Sequence, residues 1–411
     1  MTNAQRLVQL GATKASGQVC GSVLLPTPDG RVDFVPHAQI SWSDARIVHV
    51  QPIDRVPDPA SALWLPAFVD LHAHWPQTAV RGQFSGQLLP WLRQSIWPAE
   101  AKFADEQVAR AGVAAFLHTA QRAGTCSGLV FGPPFAGASQ IFAQIAPHGW
   151  IEGPAIMEVN GPVALLQSAP MMLTELQTQN RDTVAISPRF APSLSAEGLA
   201  ACGLAAAATH WPVQSHLAEN IDELRWVAEL FAEAEDYTDV YDRAGLLGPR
   251  TILAHAIHLS DRELQRLAAT GTWVAHCPTS NEALGSGRMP LERLRQFGLR
   301  WVLATDVGAG PQLSQFDVMR AFLRLHPPEL TTAVDALCRT TAIAGAFLAQ
   351  FDQGLQGLGT LAAGAPAHLI AVPRPTGNDA EAILRSLFSS LPDNAEQVPL
   401  AVVAWGQPLD C

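Results

Sequence analysis

Lysine is nearly missing from this chain: its 411 residues hold two, Lys14 and Lys102. Arginine carries most of the positive charge, and it is dispersed rather than clustered. With a formal charge of −11 and no basic patch, neither nucleic acid nor an anionic membrane is expected as a partner. The six cysteines, Cys20, Cys126, Cys202, Cys277, Cys338 and Cys411, show no CxxC spacing and no framework pattern. In so long a chain that reads as reduced thiols, with the cytoplasm as the expected compartment. The first 30 residues hold no basic stretch followed by an apolar core, so no signal peptide is expected. No apolar run reaches membrane-spanning length; the Ala-rich residues 199–208 are too short and read as a packed helix. Charged residues make up 15% and hydrophobic ones 48%, which leaves enough apolar surface for one large core and a small second unit.

What is present is a recurring arrangement. Five strand-like runs each end in a residue able to bind metal or move a proton. The run 65–74 ends in His72 and His74, and 213–216 ends in His216, with Glu219 following. Residues 251–255 end in His255, 273–277 in His276 and Cys277, and 301–306 in Asp306. Most of these runs are apolar or β-branched, as in strands buried on both faces. Functional residues at the C-terminal ends of successive strands are how a (β/α)8 TIM-type barrel builds a site. Residues 127–131, 154–159 and 184–188 supply three weaker strands and complete eight, while 104–123 and 221–232 read as amphipathic helices. Both chain ends consist of short strands punctuated by turns such as Thr27-Pro28-Asp29-Gly30. The predicted organisation is a small β-sandwich domain from residues 1–64 and 357–411, with the barrel at 65–356.

His72 and His74 are two apart on one strand, so both side chains point to the same face. His216 and Asp306 come from other strand ends and can converge on them. Three imidazoles and one carboxylate suit one divalent ion, Zn2+ by preference or Fe2+. Neither lysine lies near 184–188, which argues against a modified lysine bridging two metals. A bound cation can lower the pKa of a water from about 15.7 to roughly 7. Glu219 is the expected proton carrier, His255 can orient the attacking water, and Asp306 can serve as ligand and base. His276, His326 and His368 read as core histidines, His49 as a surface residue, and His258 as facing a helix start.

At this point the residues resemble the amidohydrolase superfamily and, within it, the guanine deaminases. The run Pro66-Ala67-Phe68-Val69-Asp70-Leu71-His72-Ala73-His74-Trp75-Pro76-Gln77-Thr78 is similar to that family's first metal motif with its substrate glutamine. Leu88-Leu89-Pro90-Trp91-Leu92, Trp97-Pro98-Ala99-Glu100 and Ser187-Pro188-Arg189-Phe190 are similar too. So are Gln214-Ser215-His216-Leu217-Ala218-Glu219-Asn220 and His276-Cys277-Pro278-Thr279-Ser280-Asn281. The run Asp236-Tyr237-Thr238-Asp239-Val240-Tyr241 is the most specific, because it is not a general amidohydrolase feature. The resemblance implies metal binding by His72, His74, His216 and Asp306 and proton transfer by Glu219. It further implies contacts to a purine from Gln77, Arg189 and Phe190, and hydrolysis of guanine to xanthine and ammonia. A deaminase of a pterin or modified purine is the closest alternative; a cyclic-amide or chloro-aromatic hydrolase and a non-catalytic scaffold are others. The chain departs from the pattern at Pro311-Gln312-Leu313, at Glu282 and Arg288, and in the short stretch between Asn160 and Asp182. A homodimer is the expected assembly.

Overall fold

A computed structural model of the chain describes residues 7–10, 15–54, 62–84, 87–179 and 183–409. Lys14 and Cys411 lie outside the described residues. The fold mixes α and β structure, and its contacts divide it into two units. One comprises residues 1–70, 118–128 and 312–411; the other comprises 71–117 and 129–311.

The first unit is organised on an eight-stranded sheet drawn from both chain ends. Along the sheet, Ala401–Ala404 pairs with Leu369–Pro373, which pairs with Ala62–Pro66, Gly17–Pro26, Val32–Ser43 and Arg46–Pro52 in turn. The predicted turn joins two of these strands, with the Gly30 N–H donating to the Thr27 carbonyl at 3.0 Å and Gly30 at φ +87°. Only a residue without Cβ adopts that φ freely. Val23, Ile40, Trp42, Trp64 and Leu369 form the core on this sheet. His49 is exposed on the edge strand. Where the N-terminal end reads as short strands, Val32–Ser43 is one strand of 12 residues. The C-terminal stretch also carries a helix, Ala380–Ser390, which its short-strand reading missed. Asp379 caps that helix, and its Ile383, Leu384, Leu387 and Phe388 form the buried stripe.

The second unit is built on parallel strands. Val213–Leu217, Thr251–His255, Trp273–His276 and Arg300–Leu303 pair in that order, with Ala254 level with His216 and Leu303 level with His276. Phe68–His74, Thr125–Gly132 and Trp150–Pro154 lie side by side in a second group, with residues 68–70 and 125–128 of these strands counted in the first unit. Backbone bonds link the groups at both margins. Ile156 bridges Pro188, and Ile186 bridges Val213. At the other margin the Asp306 N–H donates to the His72 carbonyl at 2.8 Å, and the His74 N–H donates to the Val307 carbonyl at 2.6 Å.

Four strand expectations need correction. The apolar run 65–74 breaks at Ala67, so Ala62–Pro66 joins the eight-stranded sheet and Phe68–His74 the other. The strand expected at 154–159 is Trp150–Pro154, and 184–188 forms only isolated bridges. The strand expected at 301–306 ends at Leu303, which puts Asp306 on the loop beyond it. In each case apolar residues are buried whether or not a ladder forms, so periodicity locates the run but not its ends. The two helices predicted at 104–123 and 221–232 are Glu106–Arg122 and Ile221–Leu230, and the 199–208 stretch lies in Ala196–Ala208. No described helix is long and apolar enough to cross a membrane.

Candidate active site

The functional residues sit where strands end and the chain turns sharply. Ala218, His255 and Asp306 all have positive φ, at 50°, 73° and 49°. For non-glycine residues this left-handed backbone costs on the order of 1–3 kcal/mol each and persists only where the surroundings impose it. The bends at His255 and Asp306 carry residues that line one cavity, and Glu219, which also lines it, follows the bend at Ala218. That cavity is lined by His74, Gln77, Arg189, Phe190, His216, Glu219, His255 and Asp306, with Leu88, Trp91, Leu92, Leu284 and Ala309 as its apolar wall.

His72, His74, His216 and Asp306 each offer a ligand atom, and all four atoms lie within 4.8 Å of one another. Asp306 Oδ1 is 3.2 Å from His72 Nε2 and 3.4 Å from His74 Nε2. The Nε2 atoms of His74 and His216 are 3.1 Å apart. At that separation the two rings need a proton or a cation between them. His216 donates from Nδ1 to the Arg189 carbonyl at 2.5 Å, which leaves its Nε2 lone pair aimed at the cluster. Burial, followed for His216 by the charges of its histidine neighbours, holds His74 and His216 well below the usual histidine range, and burial also lowers His72. The rings are therefore neutral, the form that binds metal. Burial pushes the Asp306 carboxyl up, but the His72 hydrogen bond and the histidines' charge outweigh it and hold the group well below the carboxylate range. This donor set fits one divalent cation of the nitrogen-and-oxygen type.

Beside the cluster lies an acid–base pair. Glu219 Oε2 is 3.5 Å from His255 Nε2, while Ser286 donates to Glu219 Oε1 at 3.0 Å. Burial is the main force raising the Glu219 carboxyl to about 7. His255 donates from Nδ1 to Asn281 Oδ1 at 2.9 Å. Burial pulls its pKa down, but Glu219, Asp306 and Asn281 together raise it. Glu219 directly precedes a helix whose first turn is closed by a capping box between Asn220 and Glu223. Glu223 accepts from the Glu219 and Asn220 N–H groups at 2.9 and 3.1 Å and from the Tyr237 hydroxyl at 2.8 Å. The backbone that carries Glu219 is thereby fixed.

Among the other lining residues, Gln77 Nε2 donates to Glu100 Oε1 at 2.8 Å and Arg189 Nη1 to Glu100 Oε2 at 2.5 Å. Phe190 packs edge-on to Trp226, with ring centroids 5.8 Å apart. Every residue expected at the site from sequence is thus in or beside one cavity.

Sequence reasoning missed several neighbours. Phe131 stacks on His74 at 4.7 Å, Ser280 donates to Asp306 Oδ2 at 2.6 Å, and Tyr241 donates to the His216 carbonyl at 2.8 Å. Ser280, Tyr241 and Glu100 stand in motifs the sequence displays, which was the available signal; Phe131 had none. His276, His326 and His368 are buried, and His258 meets the Ser286 carbonyl at 2.8 Å. Glu282 and Arg288 are exposed, and neither they nor Pro311 line the cavity.

The Amidohydrolase family pattern matches residues 63–399. The chain is 40% identical over 276 residues to a probable guanine deaminase of Deinococcus radiodurans, covering 64% of this chain and 62% of that protein. It is 35% identical to a guanine deaminase of Escherichia coli, again over 64% of this chain and 63% of the relative. These sequence matches span under two thirds of the relatives' own lengths. The solved structure of E. coli guanine deaminase superposes with a TM-score of 0.85 at 25% identity, over 96% of this chain and 98% of that one. With its family pattern covering most of its length and its donor set assembled as described, the chain belongs to the amidohydrolase family.

Proposed function

We propose that the protein hydrolyses guanine to xanthine and ammonia. The observation that carries this reading is one cavity lined by two chemically different sets of groups. One set comprises three neutral imidazoles, an ionised Asp306 and the Glu219–His255 pair. The other comprises a glutamine and an arginine held on one carboxylate, together with an aromatic ring. The guanine deaminases of D. radiodurans and E. coli that the chain resembles support the choice of substrate.

His72, His74, His216 and Asp306 would hold one divalent cation, Zn2+ by preference and Fe2+ as the alternative. Such a cation lowers the pKa of water from about 15.7 to roughly 7. Glu219 takes a proton as water attacks the amino-bearing carbon. It then delivers protons to a ring nitrogen and to the departing amine, so that water and guanine become xanthine and ammonia. A carboxyl raised to about 7 suits both tasks, since it gains and loses a proton near neutral pH. His255, fixed by Asn281, orients the attacking water. Arg189 donates to the exocyclic oxygen, Gln77 offers a donor and an acceptor, and Phe190 packs on the ring.

The same reading takes the second unit's parallel strands as a (β/α)8 barrel spanning residues 65–356. The bonds between residues 72–74 and 306–307 and the bridges at Ile156, Pro188, Ile186 and Val213 support it. Residues 1–64 and 357–411 would then form a small β-sandwich domain. Ammonia release by metal-loaded protein from guanine, adenine, a pterin and a triazine tests the function. Release from guanine well above the others is expected; none from guanine refutes the reading.

A further inference from the structure

Glu100 is fully buried and does not line the cavity, yet both of its carboxylate oxygens are spent on residues that do. It ends the short helix Trp97–Glu100, whose Trp97 and Ala99 are buried with it. Its Oε1 accepts from Gln77 Nε2 at 2.8 Å and its Oε2 from Arg189 Nη1 at 2.5 Å. These two partners come from distant parts of the sequence, and Glu100 is the group that joins them.

From this geometry we infer that Glu100 is a positioning residue that sets which edge of a heterocycle the cavity accepts, resting on the deaminase reading above. The two ends of a glutamine amide are nearly equal in size, so shape alone does not choose between orientations. An ionised carboxylate accepts hydrogen bonds and cannot donate them. Glu100 therefore compels the Gln77 nitrogen to face it and turns Oε1 the other way, where it lies 3.4 Å from the Gly308 N–H. Gln77 then presents an oxygen acceptor and one remaining N–H in a set order. Arg189 is tied through Nη1, so its remaining N–H groups are held in one plane as donors. Glu100 also cancels the charge of Arg189, which suits the cavity wall around Arg189 to a neutral ring. Through two partners one buried carboxylate specifies the donor–acceptor order that an oxo-purine edge must match.

The test uses guanine and 2,6-diaminopurine, which keeps the amino group at carbon 2 but replaces the exocyclic oxygen with a second amino donor. Kinetics, metal content and thermal melting are measured for the unaltered protein and for Glu100→Gln. The variant keeps the size, but its amide can donate or accept, so only the long 3.4 Å bond from the Gly308 N–H still favours the native orientation of Gln77. Metal content and kcat on the better substrate should change little. KM for guanine should rise at least tenfold, and the guanine to 2,6-diaminopurine ratio of kcat/KM should fall at least tenfold. An unchanged ratio in a folded, metal-loaded variant makes Glu100 a purely structural residue and overturns the inference. Should Glu100→Gln not fold, Glu100→Asp keeps the charge but is one methylene shorter, so it reaches one partner and not both. The same loss of discrimination is expected there, and the full ratio overturns the inference. An unaltered protein that releases no ammonia from guanine refutes the deaminase reading itself, and the Glu100 assignment falls with it.

Discussion

His216 donates from Nδ1 to the backbone carbonyl of Arg189 at 2.5 Å. One bond thus ties a ring of the candidate metal centre to the segment that carries Arg189 and Phe190. It fixes the His216 tautomer. Tyr241 holds the His216 carbonyl from the other side at 2.8 Å.

The four-residue cluster leads to an expectation for metal content. Purified protein should carry close to one transition-metal ion per chain, and His72→Ala or His216→Ala should lose it. Elemental analysis of the three proteins decides this. Two tightly bound ions, or undiminished metal in both variants, would contradict a single centre.

A cation held by His72 and His74, His216 and Asp306, ligands from three separate segments, would bind the folded chain and not the unfolded one. Free ion at one hundred times Kd then stabilises folding by about 2.7 kcal/mol. Chelation should lower the melting temperature, and added Zn2+ should restore it. Identical melting with and without chelator would argue against the site.

Glu219→Gln preserves shape but cannot carry a proton. Metal should remain, while turnover should fall by about 10²–10⁴-fold or more, since the shuttle acts at several steps. Near-normal ammonia release by this variant would remove Glu219 from the mechanism.

The raised Glu219 carboxyl sets a pH dependence. The free group must be ionised to accept a proton, so kcat/KM should rise with pH along an acid limb. Its midpoint should lie at or below about 7, because a bound cation can only lower the value set by burial. Stability of the metal-free protein should run the other way. Between the ordinary value of 4.5 and about 7 the folded chain holds this proton and the unfolded chain does not. Stability from this group therefore falls as pH rises through that window and levels off above it. A flat activity profile from pH 8 to 5 would count against the assignment.

Recognition by hydrogen bonds predicts discrimination. A site built to pair with polar groups can reject an analogue that lacks them by about 10⁴–10⁵. Adenine presents a donor where guanine presents an acceptor and should be a very poor substrate. Arg189→Ala should lower kcat/KM for guanine while leaving metal content intact. Comparable rates for both purines, or an unaffected Arg189→Ala, would show that the cavity serves another substrate.

The sequence alone singled out His72, His74, His216 and Asp306 as a candidate ligand set, because metal binding demands imidazoles and carboxylates at or just beyond strand ends. His-x-His places two rings on one face by the period of a strand, and no tertiary information is needed for that. The eight-stranded sheet was legible as short strands at both chain ends, although its order was not. Tertiary structure alone decided the ends of the strands, since burial conceals where a ladder stops. It decided that Asp306 sits on a loop with positive φ, and that Phe131 covers the His74 ring. It also decided that the charges of Glu282 and Arg288 stay out of the cavity, whereas Glu100, Gln77 and Arg189 form one network. These facts depend on which distant segments meet, and hydrogen bonds between side chains far apart in sequence leave no local periodicity to read.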